Sequence, residues 1–365
     1  MKKKWRMKYN IQVQRAETSR LSEVDFDNIP FGRTFTDHMF VVDYKEGAWQ
    51  NPRIVPFGYM SVHPACMALH YGQAIFEGMK ASADAEGNAY LLRPELHAQR
   101  FNRSADRLCM PEVPEDLFLE AVHSIVDIDK AWIPKAKGSA LYLRPYMFAN
   151  DEFIGVKPAD TYTFIIFCGP VGPYYPKPVS LYADTEYIRA AQGGTGEAKA
   201  AGNYAGSLLP AKLANQKGYD QVLWLDAKEF KYIQEVGTMN IFFVIDGKVV
   251  TPDTSTGTIL KGITRTCVMD ILKDKGYDVD ERMISIDEIV EAHKEGRLQE
   301  CFGTGTAAVV AHVSLISYKG NDMELPAIKD RKVGPMVKAT IDGLRDGSVE
   351  DTKGWIVPVK SLQNA

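Results

Sequence analysis

Ten consecutive residues near the middle of the chain, Gly169-Pro170-Val171-Gly172-Pro173-Tyr174-Tyr175-Pro176-Lys177-Pro178, include four prolines and two glycines. Proline lacks the N–H that a helix interior or a central strand requires, so neither element is expected to run through this stretch. It therefore divides the chain. Residues 31–170 are expected to form a small domain and 179–365 a larger one, with 171–178 as linker and 1–30 as an N-terminal extension. A chain of 365 residues is long enough to bury a core in each.

Strand and helix signals are mixed on both sides of the divide. Before it, His38–Tyr44 is strand-like, and Asp84–Asn88 is a hairpin loop. Pro94 can open a helix that places Leu96, Arg100, Arg103 and Arg107 on or near one face. Pro114-Glu115-Asp116 starts another helix towards Trp132, and Ala140–Phe148 and Tyr162–Cys168 follow as strands. After the linker, Val179–Ala183 is a strand, and Tyr204–Lys217 reads as one helix closed by Gly218. Gln221–Asp226 and the segment ending at Glu235 are hairpin arms. Asp246-Gly247 is a two-residue hairpin turn between Asn240–Ile245 and Lys248–Thr251. Gly262 opens a helix to Lys275, Ser285–Glu288 is a capping box, and Val333–Asp346 is an amphipathic helix. The expected class is α+β, with two mixed α/β domains.

Bulk properties exclude several roles. A formal net charge of -4 is the wrong sign for a nucleic-acid binder. The five cysteines are dispersed without metal-ligand spacing, so they are read as buried, reduced thiols of a cytoplasmic protein with no metal site. The longest apolar stretch, Tyr162–Gly169, is far too short to span a membrane. Met1–Lys8 is basic but no apolar run follows, which fits a short basic tail rather than a secretory signal.

The candidate chemistry centres on Lys199, set among small residues in Gly193–Gly202, with Tyr204 five positions on and Glu235 beyond it. An amine, a phenol and a carboxylate are the groups a pyridoxal phosphate ring needs at its reactive edge. The amine bonds the aldehyde, the phenol binds the ring's phenolic oxygen, and the carboxylate keeps the ring nitrogen protonated. Small residues let the backbone approach a ligand closely. A solvated lysine on a flexible loop shares the same pattern.

Lys199-Ala200-Ala201-Gly202-Asn203-Tyr204 and Glu235-Val236-Gly237-Thr238-Met239-Asn240 resemble the core of the branched-chain amino acid aminotransferases, fold type IV pyridoxal-phosphate enzymes. Phe31–Met39, His70–Ala81, Arg100–Pro111, Leu141–Pro145, Leu260–Arg265 and Phe302–Ala307 match in chain order, so the resemblance covers about residues 31–340. It implies the two-domain architecture of the D-amino acid aminotransferase-like fold, with the active site between domains. It also implies transamination of L-leucine, L-isoleucine and L-valine with 2-oxoglutarate. Lys199 would be the covalent anchor and general base, Tyr204 the partner of the phenolic oxygen and Glu235 that of the ring nitrogen. Arg100, Ile263, Thr264 and Thr306 would hold the phosphate. The substrate pocket would comprise Phe31, Tyr71, Phe76, Tyr142, Tyr174, Thr238, Thr306 and Ala307, with Arg144 for a distal carboxylate. A homodimer is implied, in which Tyr71, Ile154 and Val156 serve the partner's site. Lys261 stands where the family often has proline.

Gly303-Thr304-Gly305-Thr306-Ala307-Ala308 also fits a dinucleotide-binding fingerprint, but the strand-like Val309–Ile316 follows where a helix should open. A D-amino acid aminotransferase or an aminodeoxychorismate lyase would use the same lysine and glutamate. Phe76–Ala81 and the tyrosine-lined pocket favour the branched-chain enzyme.

Overall fold

A computed structural model of the chain describes residues 8–175 and 177–361. Apart from Lys8, the basic N-terminal stretch lies outside the described residues, as does Pro176 of the linker. Contacts divide the chain into two units. The first comprises residues up to Tyr174 with Lys199–Ala201 and those from Gly343 on; the second comprises Tyr175–Ala198 and Gly202–Asp342.

The first unit contains β1 (Gln12–Val13), β2 (His38–Lys45), β3 (Ala48–Pro56), α1 (Met67–Tyr71), β4 (Ala74–Phe76), β5 (Met79–Ala83), β6 (Ala89–Leu92), α2 (Pro94–Arg107), α3 (Glu115–Ile128), β7 (Ala140–Ala149) and β8 (Tyr162–Val171). Its strands run in the order β1-β3-β2-β8-β7-β5-β6, with β4 also paired to β7. Helices α2 and α3 bury their apolar stripes on this sheet: Phe101 and Phe118 meet Phe164 of β8 at ring-centroid distances of 5.2 and 5.7 Å. All three rings are fully buried. Burial of such a ring is worth about 1.5–3 kcal/mol, so this cluster does much to hold α2 in place.

Two sequence expectations change here. Strand β8 runs on through Gly169-Pro170 to Val171, three residues into the proline- and glycine-rich stretch and one into the expected linker. Pro170 is tolerated because β2 pairs with β8 only as far as Phe167; on that side the Thr36 N–H still donates to the Cys168 carbonyl, and Pro170, two residues on, faces the same side past the end of that pairing, so the missing N–H breaks no ladder. On α2 the buried face is His97, Arg100, Phe101 and Ser104, whereas Arg103 and Arg107 are exposed. Arg100 is the one arginine of that helix turned inward.

The second unit contains β9 (Val179–Ala183), α4 (Ala201–Gly206, its first residue in the first unit), α5 (Leu208–Gln216), β10 (Gln221–Leu225), β11 (Ile233–Val236), β12 (Asn240–Ile245), β13 (Lys248–Pro252), α6 (Ile263–Asp274), β14 (Val279–Arg282), α7 (Ile286–Lys294), β15 (Leu298–Gly305), β16 (Val309–Tyr318), β17 (Asn321–Glu324) and α8 (Val333–Asp346, its end in the first unit). Its strand order is β11-β10-β9-β16-β15-β12-β13-β14, with β17 on β16. The chain's last strand, β18 (Ile356–Pro358), pairs with β6 and extends the first sheet.

Local signals account for several boundaries. Asp246 and Gly247 both have positive φ, as the tight β12–β13 hairpin requires. The Ser285 hydroxyl accepts the Glu288 N–H and caps α7. The expected helix 204–217 is instead two, α4 and α5, interrupted at Ser207. Pro210 has no N–H to bond the Gly206 carbonyl, which ends the first helix, and Pro210 then occupies the first turn of the second, where that loss costs nothing. Four cysteines are buried as expected, but Cys109 is exposed, in a left-handed turn after α2. Among the described residues no helix is long and apolar enough to cross a membrane, and no cluster of His, Cys, Asp and Glu is set to hold a metal.

Candidate active site

Lys199 lies outside any helix or strand, so its backbone must be held by tertiary contacts. Its N–H donates to the Ser104 hydroxyl at 2.9 Å, and its carbonyl accepts the Phe76 N–H at 3.0 Å. Ala200 forms a bridge with Ile75 next to it. The side chain is half-buried, with Nζ over the Phe76 ring, 4.8 Å from the centroid.

Most of the residues of the first unit that are expected to line a substrate pocket gather near the same ring. The Arg144 guanidinium lies 4.7 Å from the Phe76 centroid and 5.5 Å from that of Tyr142, and it donates to the Tyr142 hydroxyl at 3.2 Å. Phe31 packs edge-on against Tyr142 and Tyr174 at 5.4 and 4.8 Å. Partial burial raises the Tyr174 phenol above its usual range, with the Tyr142 phenol adding to the effect, so the Tyr174 phenol stays neutral. Gly78 lets this happen: a Cβ there would overlap the Tyr142 phenol oxygen. Lys199, Phe31, Phe76, Tyr142, Arg144 and Tyr174 therefore form one cluster. Tyr71, Ile154 and Val156 are exposed, on segments tied together by Met67 N–H to the Asp151 carbonyl and Phe153 N–H to the Ala65 carbonyl.

Arg100 is buried, and Glu77 accepts hydrogen bonds from its Nε and Nη2 at 2.7 and 2.9 Å. His97 Nδ1 lies 2.8 Å from the same carboxylate. Burial alone would raise the Glu77 carboxyl, but the Arg100 charge and the hydrogen bonds from His97 and Arg100 outweigh it and hold the group well below the carboxylate range. Burial pushes His97 down despite Glu77, so the charged pair is Arg100 with Glu77, and neutral His97 donates to it. A guanidinium has more N–H donors than this pairing uses, so the pairing is compatible with a phosphate contact.

In the second unit Glu235 is buried and held on several sides. Its Oε1 accepts the Leu260 N–H at 2.8 Å and the Asn240 side-chain amide at 3.3 Å; its Oε2 lies 3.0 Å from Arg189 Nε. That contact is an ion pair rather than a well-directed hydrogen bond, since the Nε–H is not aimed at the oxygen. Arg189 Nη2 also donates to the carbonyls of Gly196 and Thr258. Asn240 donates to the Leu260 carbonyl at 2.8 Å, which fixes the approach to α6. Gly262 is the N-cap of α6, and a Cβ there would overlap the Asn240 amide oxygen.

Ile263 and Thr264 begin α6, both are buried, and no side chain caps the helix. An uncapped, buried helix start presents N–H groups and the positive end of the dipole, which suits a phosphate. Asn240 pairs with Thr304, so the turn carrying Thr238 and the turn carrying Thr306 and Ala307 adjoin. Among the described residues the buried Thr304 hydroxyl has no hydrogen-bond partner. Tyr204 sits half-buried on α4. A buried carboxylate, an uncapped helix start and an unpaired buried hydroxyl form a donor and acceptor set that fits a phosphorylated pyridine ring.

Sequence reasoning missed the residues that hold the site. His97 and Arg189 carried no signal of their own. Glu77, Ser104 and Asn240 were inside matched segments without an assigned role.

Residues 74–316 match the family model for amino-transferase class IV. The chain is 45% identical over 359 residues to branched-chain-amino-acid aminotransferase 2 of Bacillus subtilis, with 97% of this chain and 98% of that protein covered. The branched-chain amino acid aminotransferase of Escherichia coli superposes with a TM-score of 0.74 at 26% identity, covering 89% of this chain and 99% of that one. The T.th. branched-chain amino acid aminotransferase, solved in complex with N-(5'-phosphopyridoxyl)-L-glutamate, gives 0.71 at 28% identity, covering 87% and 98%.

Proposed function

The chain belongs to the class IV aminotransferases, as a branched-chain-amino-acid aminotransferase, and on that premise we propose its reaction and its working residues. It transfers the amino group of L-leucine, L-isoleucine or L-valine to 2-oxoglutarate, reversibly, giving the branched-chain 2-oxo acids and L-glutamate. Pyridoxal 5'-phosphate is its cofactor and, when bound, supplies the electron sink for the substrate's α-carbon. Arg100, Ile263, Thr264 and Thr306 hold the phosphate, Tyr204 the phenolic oxygen and Glu235 the ring nitrogen. Lys199 anchors the cofactor and then takes the proton from the substrate's α-carbon.

One observation carries this reading. The Lys199 amine and the Arg144 guanidinium both lie over the Phe76 ring, at 4.8 and 4.7 Å, beside the Phe31, Tyr142 and Tyr174 rings. Base, cation and apolar wall thus share one place. The wall receives an aliphatic side chain, with Thr238, Thr306 and Ala307 completing the pocket, and Arg144 receives the distal carboxylate of L-glutamate. Such a wall separates the three branched substrates weakly, because one methylene is worth about 1–3 kcal/mol. The protein works as a cytoplasmic homodimer, in which exposed Tyr71, Ile154 and Val156 reach the partner's site; their exposure supports that role.

The test is product analysis. The protein is incubated with 2-oxoglutarate and each of L-leucine, L-isoleucine, L-valine and D-alanine, and chiral chromatography identifies the glutamate formed. L-glutamate from the three L-amino acids supports the reading. D-glutamate from D-alanine replaces it with a D-amino acid aminotransferase, and no glutamate from any of them overturns it.

A further inference from the structure

We propose that Ser104 is a positioning residue for Lys199, fixing the peptide from which the reactive amine extends. The inference rests on the reading of Lys199 as the cofactor's covalent anchor. Lys199 has no helix or strand to orient its backbone. Two hydrogen bonds do so instead, and the one to its N–H comes from a side chain: the Ser104 hydroxyl, 2.9 Å away. That hydroxyl works in both directions. It accepts from Lys199 and donates to the Arg100 carbonyl at 3.1 Å, one turn back on α2. Ser104 is 1% exposed, so water cannot take over if the hydroxyl is lost.

The arrangement sets direction as well as stability. The Phe76 N–H holds the Lys199 carbonyl while Ser104 holds its N–H, so the two ends of the residue are pinned to β4 and α2. The side chain between them leaves over the Phe76 ring. Removing the hydroxyl frees one end, and the amine then samples more directions. A covalent bond from that amine should weaken, whereas contacts that do not use the amine should not. Alanine keeps the serine's helix and core fit, so the loss falls on the hydroxyl's two bonds, of which the one to the Lys199 N–H reaches outside α2.

The experiment compares pyridoxal phosphate, which can bond covalently to a lysine, with pyridoxamine phosphate, which cannot. Apoenzyme is titrated with each, for the wild type, Ser104→Ala, Ser104→Cys and Lys199→Ala. Ser104→Ala should weaken pyridoxal phosphate binding roughly three- to tenfold, the usual worth of one buried hydrogen bond, and leave pyridoxamine phosphate within about twofold. Ser104→Cys, close in size but a poorer acceptor, should show the same selective loss and serves if the alanine variant does not fold. Equal weakening of both compounds, or of neither, would overturn the positioning role while leaving Lys199 as anchor. If Lys199→Ala keeps the wild-type preference between the two compounds, the anchor reading fails and this inference fails with it.

Discussion

Arg100 docks one edge of its guanidinium, through Nε and Nη2, on the two oxygens of the Glu77 carboxylate at 2.7 and 2.9 Å, and the Glu77 side chain has no solvent exposure. The pair has a pH signature. Glu77 titrates well below the carboxylate range in the folded protein, and near the ordinary value of about 4.3 when unfolded. A depressed folded pKa gives stability that is fully present above the unfolded value and lost as pH falls.

Wild-type stability should therefore fall progressively as pH drops below about 5, with a component that Glu77→Gln lacks. At neutral pH the variant should be less stable by about 3–5 kcal/mol, because the buried Arg100 charge loses its carboxylate partner. Urea midpoints at a series of pH values measure both. A Gln variant with the wild-type pH slope would contradict the assignment.

Arg189 should matter to the stability of the second unit. It pairs with Glu235 and donates to the carbonyls of Gly196 and Thr258, so it joins the lysine loop to the carboxylate. Arg189→Met should cost about 3–5 kcal/mol by taking the counter-charge from a buried carboxylate. Arg189→Lys, which keeps the charge without the fork, should recover less than half of that. Urea denaturation decides it; a Met variant within about 1 kcal/mol of the wild type would show that the ion pair is dispensable.

Gly78→Ala should damage the pocket specifically. The added Cβ would occupy the place of the Tyr142 phenol oxygen and push the ring towards Phe31 and Arg144. Overpacking of this kind costs about 1–3 kcal/mol. The expected result is a raised KM for L-leucine, with pyridoxal phosphate affinity unchanged. Unaltered kinetics would mean that Tyr142 does not line the site.

The residues legible in the sequence were those with a local cause. Ser285 caps α7 through its own hydroxyl, and Asp246-Gly247 makes its hairpin through positive φ at both positions. Lys199 and Glu235 stood out because their segments resemble known cores. Ser104 and Arg189 could not be read, because their roles arise from partners 95 and 46 positions away, and no local pattern records such distances. Pro170 misled for a similar reason: its tolerance in β8 depends on where β2 stops pairing. The arginines of α2 show the limit of periodicity, which placed Arg100 with Arg103 and Arg107 although only Arg100 is buried.

The central claim is an L-specific branched-chain transaminase anchored at Lys199. Its most direct measurement is the visible absorbance of the purified, pyridoxal-phosphate-loaded protein before and after adding L-leucine or D-alanine. The account predicts a yellow band that L-leucine bleaches and D-alanine leaves intact, and that Lys199→Ala does not form. Bleaching by D-alanine alone, or an unchanged yellow band in Lys199→Ala, would contradict it.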